Sequence, residues 1–256
     1  MENLAQLSDL TNGYYWHGFT VFIRVGAVVS LLPAFGEQSV PMRVKLAVTL
    51  AFTLIVAAGI PVSAAPDGVG TILTTILSET ISGFLIGIGI RLFVLALQTA
   101  GAIAAQSTSL SQLLGGAAIE PLAAIGYVLT IAGLALAVMM GLHVKAAELM
   151  ILSYDILPSN MFLDGGDVAD WGVAQVRRAF ELAFRLSAPF ILLSVLYNLT
   201  LGAINKAMPQ LMVAFVGAPV ITAGGLFLLC VASPLMLRVW LDALDSFMVN
   251  PLGGFP

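Results

Sequence analysis

Long apolar runs separated by short polar breaks dominate the chain. A helix that crosses a bilayer needs about 20 mainly apolar residues, and the pattern predicts six such helices. Alternation with a period of two is absent over any useful length, which disfavours strands. We therefore expect an all-α fold. The predicted helices cover residues 15–35, 44–64, 72–98, 122–142, 180–204 and 211–241.

The breaks between these runs are typical of helical hairpins. Residues 36–43 separate the first two runs, a turn at Pro66 separates the next two, and residues 205–210 join the last two. A proline inside a helix removes a backbone donor and tends to bend it, so we expect kinked helices. Prolines lie inside or beside the runs at Pro33, Pro61, Pro189, Pro209, Pro219 and Pro234.

The one longer polar stretch, residues 158–178, predicts a surface loop that leads into a helix. Asp167 could cap that helix. Glu181 and Arg185 stand in the favourable order four residues apart, so we expect them to pair.

Composition decides the class of protein. Of the 256 residues, 59% are hydrophobic and only 9% are charged, against roughly 25% charged in soluble domains. The mean hydropathy is +1.02, which indicates an integral membrane protein. The net charge of −4 gives no basic footprint for nucleic acid.

Charged residues inside the apolar runs need an explanation, because each costs about 2.5–3.5 kcal/mol at the centre of a membrane helix. Arg24 has no acidic residue within a turn, so it needs a partner from another helix or another chain. Glu79, Gly83, Gly87 and Arg91 recur every four residues and trace one stripe along a helix. Glycines spaced in this way let a second backbone approach closely. We expect these five residues to make inter-helix or inter-subunit contacts, and the stripe alone leaves both open.

Residues 98–121 form a polar segment between two apolar helices. Irregular polar backbone survives at membrane depth only inside protein or beside a water-filled cavity. The segment is therefore a candidate pore-lining or gating loop, with an ordinary exposed loop as the alternative.

Catalytic and metal-binding patterns are missing from the sequence. His17 and His143 lie far apart, outside any metal-ligand spacing. Neither a nucleophile elbow nor a phosphate-binding loop occurs. We expect no enzyme activity, no cofactor and no metal.

Four stretches in order, residues 22–48, 78–101, 141–158 and 198–225, resemble the FliR family of flagellar export-gate proteins and their injectisome counterparts. The resemblance implies a subunit of the type III export gate in the bacterial inner membrane, within the flagellar basal body. It further implies assembly with FliP-like and FliQ-like subunits into a helical channel for unfolded substrates, in contact with an FlhB-like protein. Residues of about 1–175 are implied to be FliP-like and those of about 176–256 to form a FliQ-like hairpin.

The resemblance also implies roles for particular residues. The hairpin tip carries Asn205, Lys206, Pro209 and Gln210, expected to make inter-helix or inter-subunit contacts. Met212 and Val144 depart from the family's usual residues at those positions. A secondary transporter for a small solute, whose broken helices would look similar, is the alternative function. The plug of the closed channel is implied to consist of Gln106, Ser107, Thr108, Ser109, Leu110, Ser111, Gln112, Leu113, Leu114, Gly115 and Gly116.

Overall fold

A computed structural model describes residues 2–62, 68–109, 122–208, 213–251 and 253 of the chain. Side chains are described from residue 12 onward in these ranges, apart from those of residues 109, 122–124, 213–216 and 218. Seven helices run through the described residues, which confirms the predicted all-α fold. They are α1 (Glu2–Leu31), α2 (Met42–Gly59), α3 (Val69–Ser109), α4 (Leu122–Met139), α5 (Leu142–Ile156), α6 (Gly165–Ala207) and α7 (Val213–Val249).

Four of the described helices are long and apolar enough to cross a membrane. These spans are α2, Val69–Thr108 of α3, the whole of α6 and Pro219–Val249 of α7. A fifth span is possible if Ile125–Met139 and Leu142–Ile156 count together, although the two helices are bent by 71° from each other. The chain is thus an integral membrane protein, as its composition predicts.

The bend between α4 and α5 lies at the end of the helix predicted over residues 122–142, and α4 stops at Met139. It is made at Gly141, which adopts φ +84° and occupies the N-cap position of α5. Glycine takes this left-handed conformation without a steric penalty. This break depends on a glycine and involves no proline, whereas Pro189, Pro219 and Pro234 all lie within helices.

Helix α5 is absent from the sequence prediction, because Lys145, Glu148 and Asp155 lower its hydropathy. The helix is amphipathic instead. Its buried residues follow the 3.6-residue period of a helix with one face toward the protein. They are Leu142, Ala146, Leu149, Met150 and Ser153.

The start of α6 corrects two local predictions. The backbone N–H of Gly166 donates to Oδ1 of Asp164 over 2.8 Å, so Asp164 supplies the cap, whereas Asp167 lies in the first turn. Glu181 accepts a hydrogen bond from Nε of Arg177 over 2.9 Å. It therefore pairs one turn toward the N-terminus, and the predicted pair with Arg185 is wrong.

The chain divides into two compact units. Unit 1 comprises residues 1–91, 138–173 and 246–256, and unit 2 comprises residues 92–137 and 174–245. In unit 1, the indole N–H of Trp171 donates to the carbonyl of Pro251 over 3.1 Å. In unit 2, the fully buried Trp240 donates to the carbonyl of Phe93 over 2.8 Å, and α6 and α7 pack as a hairpin in which Tyr197 lies against Gly217.

Candidate functional site: the charged face of α3

The stripe of Glu79, Gly83, Gly87 and Arg91 lies along α1 and the loop that follows it, within unit 1. We call these four residues the charged face of α3. Glu79 meets Arg24, and Arg91 meets Glu37. Because the partners advance together along both segments, α1 and α3 run parallel here. The structure therefore places the whole face in contact with the same chain.

The two glycines of this face differ in how closely α1 approaches them. A methyl group at Gly83 would stand 2.5 Å from the carbonyl oxygen of Arg24 and 2.7 Å from Cβ of Ala27. At Gly87 it would stand 3.0 Å from Cδ1 of Leu31. A leucine side chain can change its rotamer to avoid a new methyl group, whereas a backbone oxygen cannot move without moving the helix. The contact between α1 and α3 therefore requires glycine at position 83.

The guanidinium of Arg24 is the centre of the site. Its side chain is 1% exposed, and that of Glu79 is not exposed at all. Nε of Arg24 donates to Oε2 of Glu79 over 2.6 Å, and the guanidinium lies 3.8 Å over the ring of Tyr154. An ion pair buried this deeply offsets its desolvation cost only when further hydrogen bonds complete it.

Those further hydrogen bonds come from the end of α5. Nη1 of Arg24 donates to the carbonyl and the hydroxyl of Ser153 over 3.1 and 3.3 Å, and Nη2 donates to the carbonyl of Leu157 over 2.9 Å. The last carbonyls of a helix lack intrahelical donors, and a cation near them is favoured by the helix dipole. Arg24 therefore caps α5 from another helix, while Glu79 neutralises its charge.

Two buried oxygen atoms beside this cluster have no hydrogen-bond partner among the described residues. One is Oε1 of Glu79 and the other is the hydroxyl of Tyr154. The hydroxyl lies next to the Glu79 carboxylate, so the second carboxylate oxygen and a phenol donor share one buried space.

The other end of the charged face is more open to solvent. The side chains of Arg91 and Glu37 are 27% and 22% exposed, and Nη1 of Arg91 donates to Oε1 of Glu37 over 2.5 Å. Nζ of Lys45 donates to the carbonyl of the neighbouring Gly36 over 3.0 Å. This end thus fastens the loop after α1 to α3 with half-buried charges.

The candidate plug falls partly inside α3. The helix continues to Ser109, so the expectation of irregular backbone is wrong for residues 98–109. Gln106 is exposed, whereas Ser107 and Thr108 are buried, and the hydroxyl of Ser107 donates to the carbonyl of Ile103. An open cavity of about 420 Å³ lies beside Ser107 against α6. The remaining plug residues, Leu110, Ser111, Gln112, Leu113, Leu114, Gly115 and Gly116, lie outside the described residues.

The predicted hairpin tip is also partly described. Asn205 and Lys206 are exposed in the last turn of α6, which ends at Ala207. Pro209 and Gln210 lie outside the described residues.

Sequence reasoning missed Glu37, Ser153, Tyr154 and Leu157 as members of the site. Glu37 stands in a polar loop, where carboxylates are ordinary. The carbonyls of Ser153 and Leu157 carry no sequence signal, because every residue has one. In the described part of the chain, no group of three or more His, Cys, Asp or Glu side chains could hold a metal ion.

Comparison with known proteins identifies the family. The model of the bacterial export proteins, family 1, matches residues 15–247. The flagellar biosynthetic protein FliR of Caulobacter vibrioides is 32% identical over 226 residues, which cover 87% of this chain and 90% of the relative. The protein of the same name from Escherichia coli K12 is 26% identical over 88% of this chain and 85% of its own length. That of Aquifex aeolicus is 27% identical over 84% of each. The chain belongs to the bacterial export proteins, family 1.

Proposed function

We propose that this chain is the FliR-type subunit of the flagellar protein-export apparatus. The observation that carries the proposal is the near full-length match to relatives named flagellar biosynthetic protein FliR, at similar length and with the family model covering residues 15–247. The geometry agrees, because the described residues offer helices long and apolar enough to cross a membrane.

The exposed apolar surface of the chain supports a role as one subunit of a membrane assembly. Large apolar side chains are exposed on every described helix. Soluble monomers rarely expose contiguous apolar patches above a few hundred Å², and in this proposal lipid and partner subunits together cover this surface. Examples from α1 to α7 are Phe19, Leu54, Leu73, Val128, Val144, Leu196 and Phe227.

The proposed partners are FliP-like and FliQ-like membrane subunits and an FlhB-like protein, with unfolded export substrates passing through the assembly. The proposed location is the bacterial inner membrane, in the flagellar basal body. Residues of about 1–175 form the FliP-like part and those of about 176–256 the FliQ-like hairpin in this proposal. The α6–α7 contact at Tyr197 and Gly217 supports a hairpin in the second part.

The proposed plug is the segment 106–116, and the proposed contacts with neighbouring subunits include the hairpin tip at Asn205, Lys206, Pro209 and Gln210. Ser107 and Thr108, at the start of the proposed plug segment, are buried at the end of α3, which supports a fixed start for this segment. Exposure of Asn205 and Lys206 leaves the tip available to a partner.

A secondary transporter remains the rival from another class, since the bent pair α4–α5 would also suit broken transporter helices. The family match does not favour it. A transporter would move a small solute across liposomes that contain this chain alone, whereas a gate subunit would not.

Co-purification tests the proposal directly. We expect the tagged chain to retain two smaller membrane proteins in a fixed ratio when it is extracted from its own membranes. Recovery of the chain alone, together with solute uptake in liposomes, would replace the export function by transport.

The plug requires a separate test. Removal of residues 110–116 spares the helical residues up to Ser109, and we expect the assembled channel to become leaky to ions. A channel that stays sealed after this deletion would rule out the plug.

A further inference from the structure

Four aromatic residues lie together in the first half of α1. We call Tyr14, Tyr15, Trp16 and Phe19 the α1 aromatic cluster. Tyr14, Tyr15 and Phe19 are 63%, 76% and 45% exposed, and the ring centroids of Trp16 and Phe19 lie 5.6 Å apart. Neither tyrosine has a hydrogen bond among the described residues. Apolar rings with free polar tips suit surroundings that are apolar on one side and wet on the other.

The opposite face of this part of α1 is fixed to α2. His17 is buried, and its Nε2 lies 3.1 Å from the carbonyl oxygen of Ala57. Further along α1, a methyl group at Gly26 would stand 3.6 Å from Cγ2 of Thr49. Residue numbers thus rise along α1 as they fall along α2, so the two helices are antiparallel. The aromatic cluster therefore lies level with the last turn of α2, which ends at Gly59.

The last turn of α2 is one edge of a membrane span. Helix α2 is long and apolar enough to cross a membrane. Its 18 residues extend about 27 Å, close to the hydrocarbon thickness of about 30 Å. The exposed Arg43 stands in its first turn and marks one boundary of the hydrocarbon layer. The other boundary then lies at the last turn, beside the aromatic cluster.

The apolar span of α3 begins at the same level. Arg24 of α1 meets Glu79 of α3, and the two helices run parallel. Ile72 precedes Glu79 by seven residues, as His17 precedes Arg24, so Ile72 lies level with His17. Ile72 belongs to the first turn of the span, which starts at Val69. Two spans therefore reach their edge beside the aromatic cluster.

The exposed side chains change in chemistry toward this edge. Nearer the middle of α2 they are aliphatic and have no polar atom, as at Leu50, Leu54 and Ile55. At the edge they are rings that end in a hydroxyl or an indole N–H. This order follows the polarity of a bilayer from hydrocarbon to headgroups, and tyrosine and tryptophan are enriched at the headgroup level.

We propose that the α1 aromatic cluster binds the headgroup layer of a phospholipid bilayer. The rings lie beside the first acyl carbons, and the hydroxyls of Tyr14 and Tyr15 and the N–H of Trp16 point to glycerol and phosphate oxygens. Because His17 joins this turn to α2, the cluster sets the depth of both helices in the membrane. The inference rests on the membrane spans and is independent of the export function.

Quenching of tryptophan fluorescence tests the depth. The full chain is reconstituted in phosphatidylcholine vesicles that carry either a nitroxide on the headgroup or bromine near the end of the acyl chain. The signal of Trp16 is the difference between the parent and Trp16→Phe, because the buried Trp171 and Trp240 are common to both. We expect the nitroxide to quench Trp16 at least about twofold more strongly than the bromine does.

The matched control is Leu50→Trp in the Trp16→Phe background. Leu50 is exposed and lies seven residues before Ala57, which places it about 10 Å deeper along α2. We expect the bromine to quench a tryptophan at position 50 more strongly than the nitroxide does, because this position faces the acyl chains.

Three results would overturn the inference. Stronger quenching of Trp16 by the bromine would place the cluster within the hydrocarbon. Quenching of Trp16 by neither label, with position 50 quenched by the bromine, would show that water or protein surrounds the cluster. Absence of quenching by the bromine at position 50 would show that α2 does not face lipid, and the boundary beside the cluster would be wrong.

Photochemical cross-linking distinguishes lipid from protein in the chain's own membranes. Tyr15, the most exposed member of the cluster, is replaced by p-benzoylphenylalanine, and the membranes are irradiated. We expect the mass of the chain to rise by that of one phospholipid, as it should when Leu54 is replaced in the same way. A protein adduct at position 15, or no phospholipid adduct there, would refute the inference. Failure of the parent chain to retain membrane subunits would refute the proposed function only.

Discussion

Two ion pairs close the two ends of the charged face of α3, and they differ in almost every physical respect. Arg24 and Glu79 are nearly inaccessible to solvent, whereas Arg91 and Glu37 are about one-quarter exposed. Arg24 also donates to two carbonyls at the end of α5, whereas Arg91 donates to the carboxylate of Glu37. One pair closes the junction of three helices, and the other fastens a loop.

The difference shows why a charge is placed in an apolar helix here. A pair whose members only neutralise each other can be replaced by apolar residues at little cost or even with a gain. A guanidinium that also satisfies the end of a helix cannot, because its removal takes from the carbonyl of Leu157 the donor that Arg24 supplies. Substitutions at the two ends should therefore behave differently.

The largest effect is expected for Arg24→Met. It leaves Glu79 buried and unpaired, and breaking a buried pair in this way costs about 3–5 kcal/mol. The free energy of unfolding in mixed detergent micelles would measure it, with Arg91→Met as the matched control. A loss at Arg24 no larger than that at Arg91 would contradict the difference in burial.

The double variant Arg24→Met with Glu79→Met separates neutralisation from capping. If Arg24 only neutralises Glu79, the double variant should be as stable as the parent or more so. We expect instead a remaining loss of about 1–3 kcal/mol, because the carbonyl of Leu157 loses the donor that Arg24 supplies. The carbonyl of Ser153 keeps the backbone N–H of Leu157. The rate of amide hydrogen exchange in the last turn of α5 should also be higher in the double variant than in the parent. Parental stability and parental exchange in the double variant would refute the capping role.

The glycines between the two pairs should show a graded effect. Gly83→Ala forces a methyl group against the backbone oxygen of Arg24, and overpacking of this kind costs about 1–3 kcal/mol. Gly87→Ala meets the side chain of Leu31 at 3.0 Å, which can adjust, and the backbone oxygen of Ala27 only at 3.4 Å, so its loss should be smaller. Gly172→Ala has open space around the new methyl group and serves as the control for helix propensity, which favours alanine. Equal losses at positions 83 and 87 would show that backbone contact is not the cause.

The smallest effect is expected for Arg91→Met. Partly exposed ion pairs contribute about 0.2–1 kcal/mol and are screened by salt. The difference in stability between this variant and the parent should shrink as salt is raised toward 1 M, whereas the loss caused by Arg24→Met should not change. We also expect less assembled complex from an Arg91 variant if the loop after α1 contacts a neighbouring subunit. If the loss of stability in Arg91→Met does not depend on salt, the Arg91–Glu37 pair behaves as a buried pair, and the expected difference between the two pairs is wrong.

Much of the fold was accessible from the sequence because hydropathy is a sum over many residues. Six apolar runs predict the regions of six of the described helices, and the four-residue spacing from Glu79 to Arg91 predicts one contact face. Helix α5 was missed since its signal is the period of its buried face, which three charged residues obscure. Only distances in space distinguish a contact within the chain from one between subunits.

The acceptors of Arg24 were beyond sequence reasoning for a different reason. Leu157 binds it through its backbone carbonyl and Ser153 chiefly so, with its hydroxyl at a longer distance, and backbone carbonyls are the same for every amino acid. What the sequence does show is that Arg24 needs a polar partner, because it lies in an apolar helix with no acidic residue nearby. Such a residue predicts that a partner exists without saying where it lies.

The long separation between Arg24 and its partners has a consequence for biosynthesis. Glu79 follows Arg24 by 55 residues, and Ser153 follows it by 129. At about 5–20 residues per second, the carboxylate emerges about 3–11 s after the arginine and the carbonyl of Ser153 about 6–26 s after it. Until Glu79 has been made, Arg24 in the nascent α1 has no carboxylate to pair with. Its hydrogen bonds to α5 form only after α5, the fifth helix, has left the ribosome.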